Sequence, residues 1–213
     1  MGRVYGFCTF AWRAVELEAL KIFCDIENMN FPAASYVEQL ASAFSQVEVA
    51  VCKRLALSLN ATRERKASVF LCGNGGSAAN ANHWANDLIY GAGKTGRGGV
   101  RAHSLAANTS VIMCLANDTG YENVFSGQLR VFASPGDILI AMSGSGNSPN
   151  ILRALEEAKN LGLETWALVG YDGGKALHLA QNVIHFPIND MQIAEDLQMV
   201  VCHEVTKILA TPV

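Results

Sequence analysis

The sequence lacks the long apolar segments and the paired cysteines that are typical of membrane and secreted proteins. No apolar run approaches the roughly 20 residues that a membrane-crossing helix needs, and the N-terminus lacks the apolar region of a signal peptide. The six cysteines stand singly, mostly within apolar stretches, and none forms the C-x-x-C spacing of a zinc or redox site. We therefore expect a cytoplasmic protein with reduced cysteines and no membrane partner.

Long basic clusters are also missing. Lys and Arg number 16 against 19 Asp and Glu, which gives a formal net charge of −3, so nothing in the chain favours a sequence-independent electrostatic contact with nucleic acid. The hydrophobic fraction of 50% and the charged fraction of 16% exclude intrinsic disorder. A length of 213 residues suits one α/β domain, with small molecules or proteins as its partners.

The N-terminal segment differs in character from the rest of the chain. The first 28 residues lack clear helix caps and strong periodicity, so we assign residues 1–35 to an N-terminal extension and residues 36–213 to a single domain. Met29 is a candidate alternative start, and an ordinary helix over residues 14–26 is an equally good interpretation. From Tyr36 to Leu55 apolar residues recur at helical spacing, which predicts one long amphipathic helix.

Beyond residue 66, short apolar runs alternate with Gly-rich turns and helical stretches. The predicted strands are 68–72, 102–105, 138–143, 165–169 and 183–186. The predicted helices are 78–89, 110–116, 123–131, 149–161 and 193–209. This alternation predicts an α/β fold, a doubly wound parallel five-stranded sheet flanked by helices. Ligands of such sheets bind at the carboxyl ends of the strands, and the strongest motifs of this chain lie there.

The first motif is the loop Gly73-Asn74-Gly75-Gly76-Ser77, which joins a predicted strand to a helix. A loop of small residues at a helix N-terminus lets backbone N–H groups face an anion, and the Ser77 hydroxyl adds a donor. The alternative is a tight turn with Ser77 as the helix cap.

The second motif, Ser143-Gly144-Ser145-Gly146-Asn147-Ser148, also follows an apolar strand. Its three serines exceed the single side-chain oxygen that a helix cap requires, whereas a phosphate group offers several oxygens to hydroxyl and amide donors. The loop has no P-loop lysine, and neither loop has the G-x-G-x-x-G spacing of a dinucleotide site. A phosphomonoester is therefore the ligand that fits best.

Two pairs of polar residues lie on predicted helices. His83 and Asp87 are four residues apart on one helix face, where they could bind a metal or share proton transfer; an exposed polar face is the alternative. Glu195 and His203 are separated by a helical rise of about 12 Å. They cannot meet one metal unless the helix begins after Glu195 or another subunit contributes, and a solvated Glu with an interface His is the alternative.

Taken together, these segments resemble the phosphoheptose isomerase branch of the SIS (sugar isomerase) family, from about Tyr36 to the C-terminus. The order and spacing of the two loops, the His83 helix and the Glu195 to His203 segment carry the resemblance, together with Ala116-Asn117-Asp118 and the stretch from Gly170 to Lys175.

The resemblance implies conversion of sedoheptulose 7-phosphate to an aldoheptose 7-phosphate without an organic cofactor, in a homotetramer whose sites lie between subunits. It implies proton transfer by Asp87 and His203, and a zinc ion bound by His83, Asp87, Glu195 and His203. The substrate-binding residues that it implies are Asn74, Gly75, Gly76, Ser77, Asn117, Asp118, Ser143, Gly144, Ser145, Ser148 and Glu195.

The chain departs from the best-known members at three positions. Asp87 replaces a Glu, so the base is one methylene shorter, and Glu195 replaces a Gln, which adds a charge. A basic residue four positions beyond the catalytic carboxylate is replaced by Gly91, for which Lys94 or Arg97 could substitute.

Two alternatives stay open at this point. One is a non-catalytic SIS module that senses phosphosugars or binds the bacterial replication initiator, although the resemblance implies that the initiator-binding branch lacks both the carboxylate and the terminal His. The other is an isomerase of a hexose or pentose phosphate, because the loops recognise the phosphate group and do not determine the length or stereochemistry of the sugar.

Overall fold

The computed structural model describes residues 33–94 and 96–211. The predictions for residues 1–32, including the alternative start at Met29, lie outside these residues. The unit that carries the sheet begins at Gln39. The boundary between residues 35 and 36 stays a prediction.

The order of elements confirms the α/β prediction. The helices are α1 Ala33–Ser45, α2 Val49–Glu64, α3 Gly75–Ile89, α4 Thr109–Thr119, α5 Ser126–Phe132, α6 Pro149–Asn160, α7 Ala176–Leu179 and α8 Met191–Ala210. The strands are β1 Ser68–Cys72, β2 Arg101–Ser104, β3 Ile138–Ser143, β4 Glu164–Val169 and β5 Asn182–His185. Short 3-10 turns cover Gly91–Gly93 and Tyr121–Asn123.

All five strands are parallel, in the order β2-β1-β3-β4-β5. Every residue of β1 and β3 is buried, as is typical of strands that are covered by helices on both faces of a parallel sheet. On one face Phe70 and Leu139 pack with apolar residues of α5 and α6. Helix α8 packs against both α2 and α3, and all three helices contact the same sheet.

The segment predicted as one long helix is divided into α1 and α2. At the end of α1 the Gln46 N–H donates to the Ala43 carbonyl at 3.2 Å, and the Val47 N–H donates to the Phe44 carbonyl at 3.0 Å. These three-residue turns end the α-helical hydrogen-bond pattern, and Glu48 is then extended with φ −70° and ψ 107°. The apolar spacing continues across the break, which is why periodicity alone predicts a single helix.

Helices α3 and α8 lie side by side and carry the candidate site between them. The buried Trp84 indole donates to the Thr206 hydroxyl at 3.1 Å. The Asn80 amide donates to the Glu195 carbonyl at 2.9 Å and to Gln198 Oε1 at 3.1 Å. The N-terminal end of α8 is capped by Asp190, whose carboxylate accepts from the Ile193 N–H at 3.0 Å. None of the helices in the described part of the chain could span a membrane.

Candidate active site

The two Gly/Ser-rich loops meet at one edge of the sheet. Strands β1 and β3 are neighbours although β2 intervenes in the chain, so the crossovers from β1 and β3 depart to opposite sides and leave a crevice between them. A cavity of roughly 240 Å³ lies there, and both predicted loops contribute to its wall. The lining residues are Asn74, Gly75, Gly76, Ser77, Ser143, Gly144, Ser145, Ser148, Met191 and Glu195.

Close backbone packing explains the glycines at the edges of these loops. A Cβ on Gly73 would lie 2.5 Å from the Ser77 carbonyl oxygen. Gly146 has a φ of +63°, and a Cβ there would lie 2.0 Å from the Gly173 carbonyl oxygen. Only glycine fits these positions, so the loops can turn tightly where they line the cavity.

The serines of the second loop are positioned by its own backbone. The buried Ser143 hydroxyl oxygen accepts from the Gly146 N–H at 3.1 Å, and the Ser145 hydroxyl oxygen accepts from the Asn147 N–H at 3.3 Å. Each hydroxyl can still donate its own proton to an incoming oxygen. Ser77 is also buried, at the first turn of α3. The predicted hydroxyl donors Ser77, Ser143, Ser145 and Ser148 therefore line one cavity.

Asn74 is held by two residues that the sequence analysis did not single out. Its amide exchanges two hydrogen bonds with the buried Asn150, and its Oδ1 also accepts from the Tyr121 hydroxyl at 3.0 Å. The only sequence signal for Asn150 is its position just after the Ser-rich loop. Asn117 and Asp118 do not line the cavity; they lie exposed at the end of α4, where the Asn117 amide donates to Asp118 Oδ1 at 2.7 Å.

His83, Asp87 and His203 form a second group, brought together by the packing of α3 against α8. The two imidazole Nε2 atoms are 3.1 Å apart. Asp87 Oδ2 lies 3.4 Å from His83 Nε2 and 3.6 Å from His203 Nε2. The two His side chains are about half exposed, at 54% and 48%, so the group is open to solvent on one side. Burial and then the nearby Asp87 carboxylate raise the pKa of the Cys202 thiol well above its ordinary value, which keeps this thiol protonated.

Glu195 does not join this group within one chain. Helix α8 begins at Met191, before Glu195, so Glu195 and His203 remain about 12 Å apart along the same helix. The Glu195 carboxylate instead lies in the cavity, where its Oε1 accepts from the Ser77 N–H at 3.1 Å.

The two cations that could replace the missing basic residue occupy different positions. Arg97 bonds to Asn60 Oδ1 at 3.1 Å and lies 3.6 Å from the Glu64 carboxylate. The Lys94 ammonium lies 5.0 Å from the centre of the Tyr90 ring. Arg97 is therefore held at α2, and Lys94 lies beside Tyr90, the residue that follows α3.

Comparison with known proteins gives one consistent family. The SIS domain profile matches residues 34–170. A phosphoheptose isomerase of Helicobacter pylori (strain P12) is 41% identical over 142 residues, which cover 67% of this chain and 73% of the relative. One from Akkermansia muciniphila is 35% identical over 184 residues, which cover 86% of this chain and 94% of the relative.

Solved structures agree with these relatives. The phosphoheptose isomerase GmhA from Neisseria gonorrhoeae superposes with a TM-score of 0.76 at 27% identity, covering 84% of this chain and 96% of that one. A phosphoheptose isomerase from Francisella tularensis has a TM-score of 0.77 at 24% identity, covering 85% of this chain and 98% of that one, and it supports the fold alone.

Proposed function

The chain belongs to the SIS domain family and to its phosphoheptose isomerase branch, and from this premise we propose that it converts sedoheptulose 7-phosphate to D-glycero-D-manno-heptose 7-phosphate. The observation that carries the proposal is the arrangement along α3 and α8. A cavity of hydroxyl and amide donors lies at their N-terminal ends, and a His-Asp-His group lies two turns further along.

The cavity suits the phosphate end of the substrate. Four serine side chains and the N-terminal end of α3 surround a space without Lys or Arg among its described lining residues. Hydroxyl and backbone donors can distribute over the oxygens of a phosphomonoester, while helix N-termini favour negative charge. We assign Ser77, Ser143, Ser145 and Ser148 to this role. Asn74, through its bonds to Asn150 and Tyr121, holds the loop in place.

Asp87 and His203 are suited to the proton transfers of an aldose-ketose isomerisation. Moving a carbonyl from C2 to C1 removes a proton from C1 and returns one to C2, with no net redox change and no organic cofactor. In our assignment the Asp87 carboxylate accepts the C1 proton, and His203 transfers a proton between the oxygens on C1 and C2. The shorter Asp87 side chain requires the substrate carbon to approach within about 3.2 Å of its carboxylate.

The His-Asp-His group also has dimensions that fit zinc. Tetrahedral ligands at about 2.0–2.1 Å from a zinc ion are about 3.3–3.4 Å from one another, and the three ligand atoms here are separated by 3.1, 3.4 and 3.6 Å. We propose that His83, Asp87 and His203 bind zinc and that a fourth ligand comes from another subunit. Glu195 could be that ligand only after its carboxylate leaves the Ser77 N–H of its own chain. A metal bound here would act as a Lewis acid on the substrate carbonyl.

We further propose that the protein is a homotetramer with sites between subunits. No residue of the apolar helix α4 is buried within the chain, and Met113 is 71% exposed. Val131 and Phe132 are also largely exposed, and such apolar surface is typical of subunit contacts. Light scattering on a sizing column would give the mass of the assembly, and a monomer would contradict this proposal. The cytoplasmic location stays a prediction.

The test of the proposed function is an NMR assay with sedoheptulose 7-phosphate, with and without zinc, that follows new aldose anomeric signals. We expect new signals with the wild type and with His178→Ala, whose exposed His lies on α7 and belongs to neither the cavity lining nor the His-Asp-His group. Asp87→Ala and His203→Ala should lose turnover. Binding without conversion in the wild type would instead favour a phosphosugar sensor, and conversion of fructose 6-phosphate alone would indicate a different substrate.

A further inference from the structure

The Glu195 carboxylate lies in the part of the cavity that is best suited to bind an anion. Its Oε1 accepts from the Ser77 N–H at 3.1 Å, at the first turn of α3. Its Oε2 lies directly over Gly76, where an added Cβ would be only 2.1 Å away. The carboxylate thus uses the backbone donor and the positive end of the helix that an anionic ligand would use.

No other charge compensates this carboxylate inside the cavity. The remaining described lining residues are Asn, Gly, Ser and Met, so Glu195 is the charged one among them. With a space of roughly 240 Å³, a phosphate and the carboxylate would be close neighbours. Like charges at that separation repel, and the same few donors cannot fully satisfy both.

We propose that in the free protein the Glu195 carboxylate occupies the phosphate cradle, the part of the cavity next to the Ser77 N–H and Gly76. A phosphorylated ligand then binds by displacing the carboxylate from these two residues. The inference rests on the proposed function, since it assumes that the cavity binds the phosphate group. Glu195 is then a residue that sets phosphate affinity, because every binding event must break its contact with the Ser77 N–H.

The experiment compares inorganic phosphate binding by calorimetry to the wild type, Glu195→Gln and Glu204→Gln. Glu195→Gln keeps an oxygen acceptor for the Ser77 N–H and removes the charge. Glu204→Gln removes one charge from the same helix at a site that is 52% exposed and bonded to Lys207. We expect Glu195→Gln to bind phosphate about tenfold more tightly, with Glu204→Gln like the wild type.

Equal or weaker phosphate binding by Glu195→Gln, with measurable binding by the wild type, would overturn the displacement and leave the phosphate cradle intact. Absence of binding by all three proteins would overturn the cradle itself, and the inference with it. A crystal structure with phosphate provides an independent check. The carboxylate should leave its position over Gly76, and finding it still bonded to the Ser77 N–H beside bound phosphate would contradict the proposal.

Discussion

Asn74 and Asn150 exchange two hydrogen bonds across the two loops of the cavity. Asn74 Nδ2 donates to Asn150 Oδ1 at 2.9 Å, and Asn150 Nδ2 donates to Asn74 Oδ1 at 2.8 Å. Asn74 is the residue just before α3, in the loop after β1, while the buried Asn150 stands in the first turn of the helix that follows β3. The pair therefore fixes the distance between the two halves of the proposed phosphate site.

Replacing Asn150 with Ala should loosen both loops together. The variant removes both hydrogen bonds of the pair and leaves Asn74 Nδ2 without its acceptor, and we expect a loss of about 1–3 kcal/mol in the free energy of unfolding. We also expect a higher KM for the sugar phosphate with a smaller change in kcat, since the loops hold phosphate rather than the reacting carbons. Urea unfolding and steady-state kinetics measure the two effects.

The matched control is Asn160→Ala at the exposed end of the same helix. It should leave both quantities near their wild-type values. If Asn150→Ala lowered stability but left KM unchanged, the pair would be a structural contact without influence on the phosphate site.

Removing the Ser145 hydroxyl should weaken phosphosugar binding. Ser145 is a partly exposed residue that lines the cavity, and its hydroxyl oxygen is oriented by the Asn147 N–H. A hydrogen bond to a charged group contributes about 1.5–3 kcal/mol, so Ser145→Ala should raise the Kd roughly ten- to hundredfold. Calorimetry with sedoheptulose 7-phosphate measures it, and Ser134→Ala, at an exposed site before β3, is the control. An unchanged Kd in Ser145→Ala would remove this residue from the site.

The sheet and its loops could be predicted from the sequence because their signals are local. Fully buried parallel strands appear as continuous apolar runs, and the predicted bounds of β1 and β3 coincide with the observed Ser68–Cys72 and Ile138–Ser143. Gly- and Ser-rich stretches directly after such strands then mark the ligand-binding edge.

The rest depends on contacts between distant parts of the chain. Spacing could not bring His83 to His203, which lie 120 residues apart and meet only because α3 packs on α8. The bond from Glu195 to the Ser77 N–H spans 118 residues, and the Asn74–Asn150 pair spans 76. The break between α1 and α2 occurs without Gly or Pro, so the local sequence gave no sign of it.

Zinc binding to the His-Asp-His group should be detectable from thermal stability, without an activity assay. We expect zinc to raise the melting temperature of the wild type, because a ligand at 100 times its Kd stabilises the native state by about 2.7 kcal/mol. His83→Ala should lose most of this increase, while His178→Ala should retain it. Differential scanning calorimetry after chelator treatment and zinc addition makes the comparison, and an equal increase in all three proteins would place the metal elsewhere.

The buried Cys72 thiol should make the protein less stable at alkaline pH. Burial raises the pKa of Cys72 from its ordinary value of 9.0 to about 12. Above pH 9.0 the thiol ionises in the unfolded chain but stays protonated in the native state, so the unfolded state binds fewer protons. The free energy of unfolding therefore falls as pH rises between these two values, by up to about 1.4 kcal/mol per pH unit from this group.

Urea unfolding of the wild type, Cys72→Ala and Val69→Ala between pH 8.5 and about 10.5 isolates the effect. Val69→Ala truncates a buried side chain on the same strand without removing an ionisable group, so it should keep the wild-type slope, whereas Cys72→Ala should have a shallower one. Equal slopes in all three proteins would show that this thiol does not govern the alkaline loss of stability.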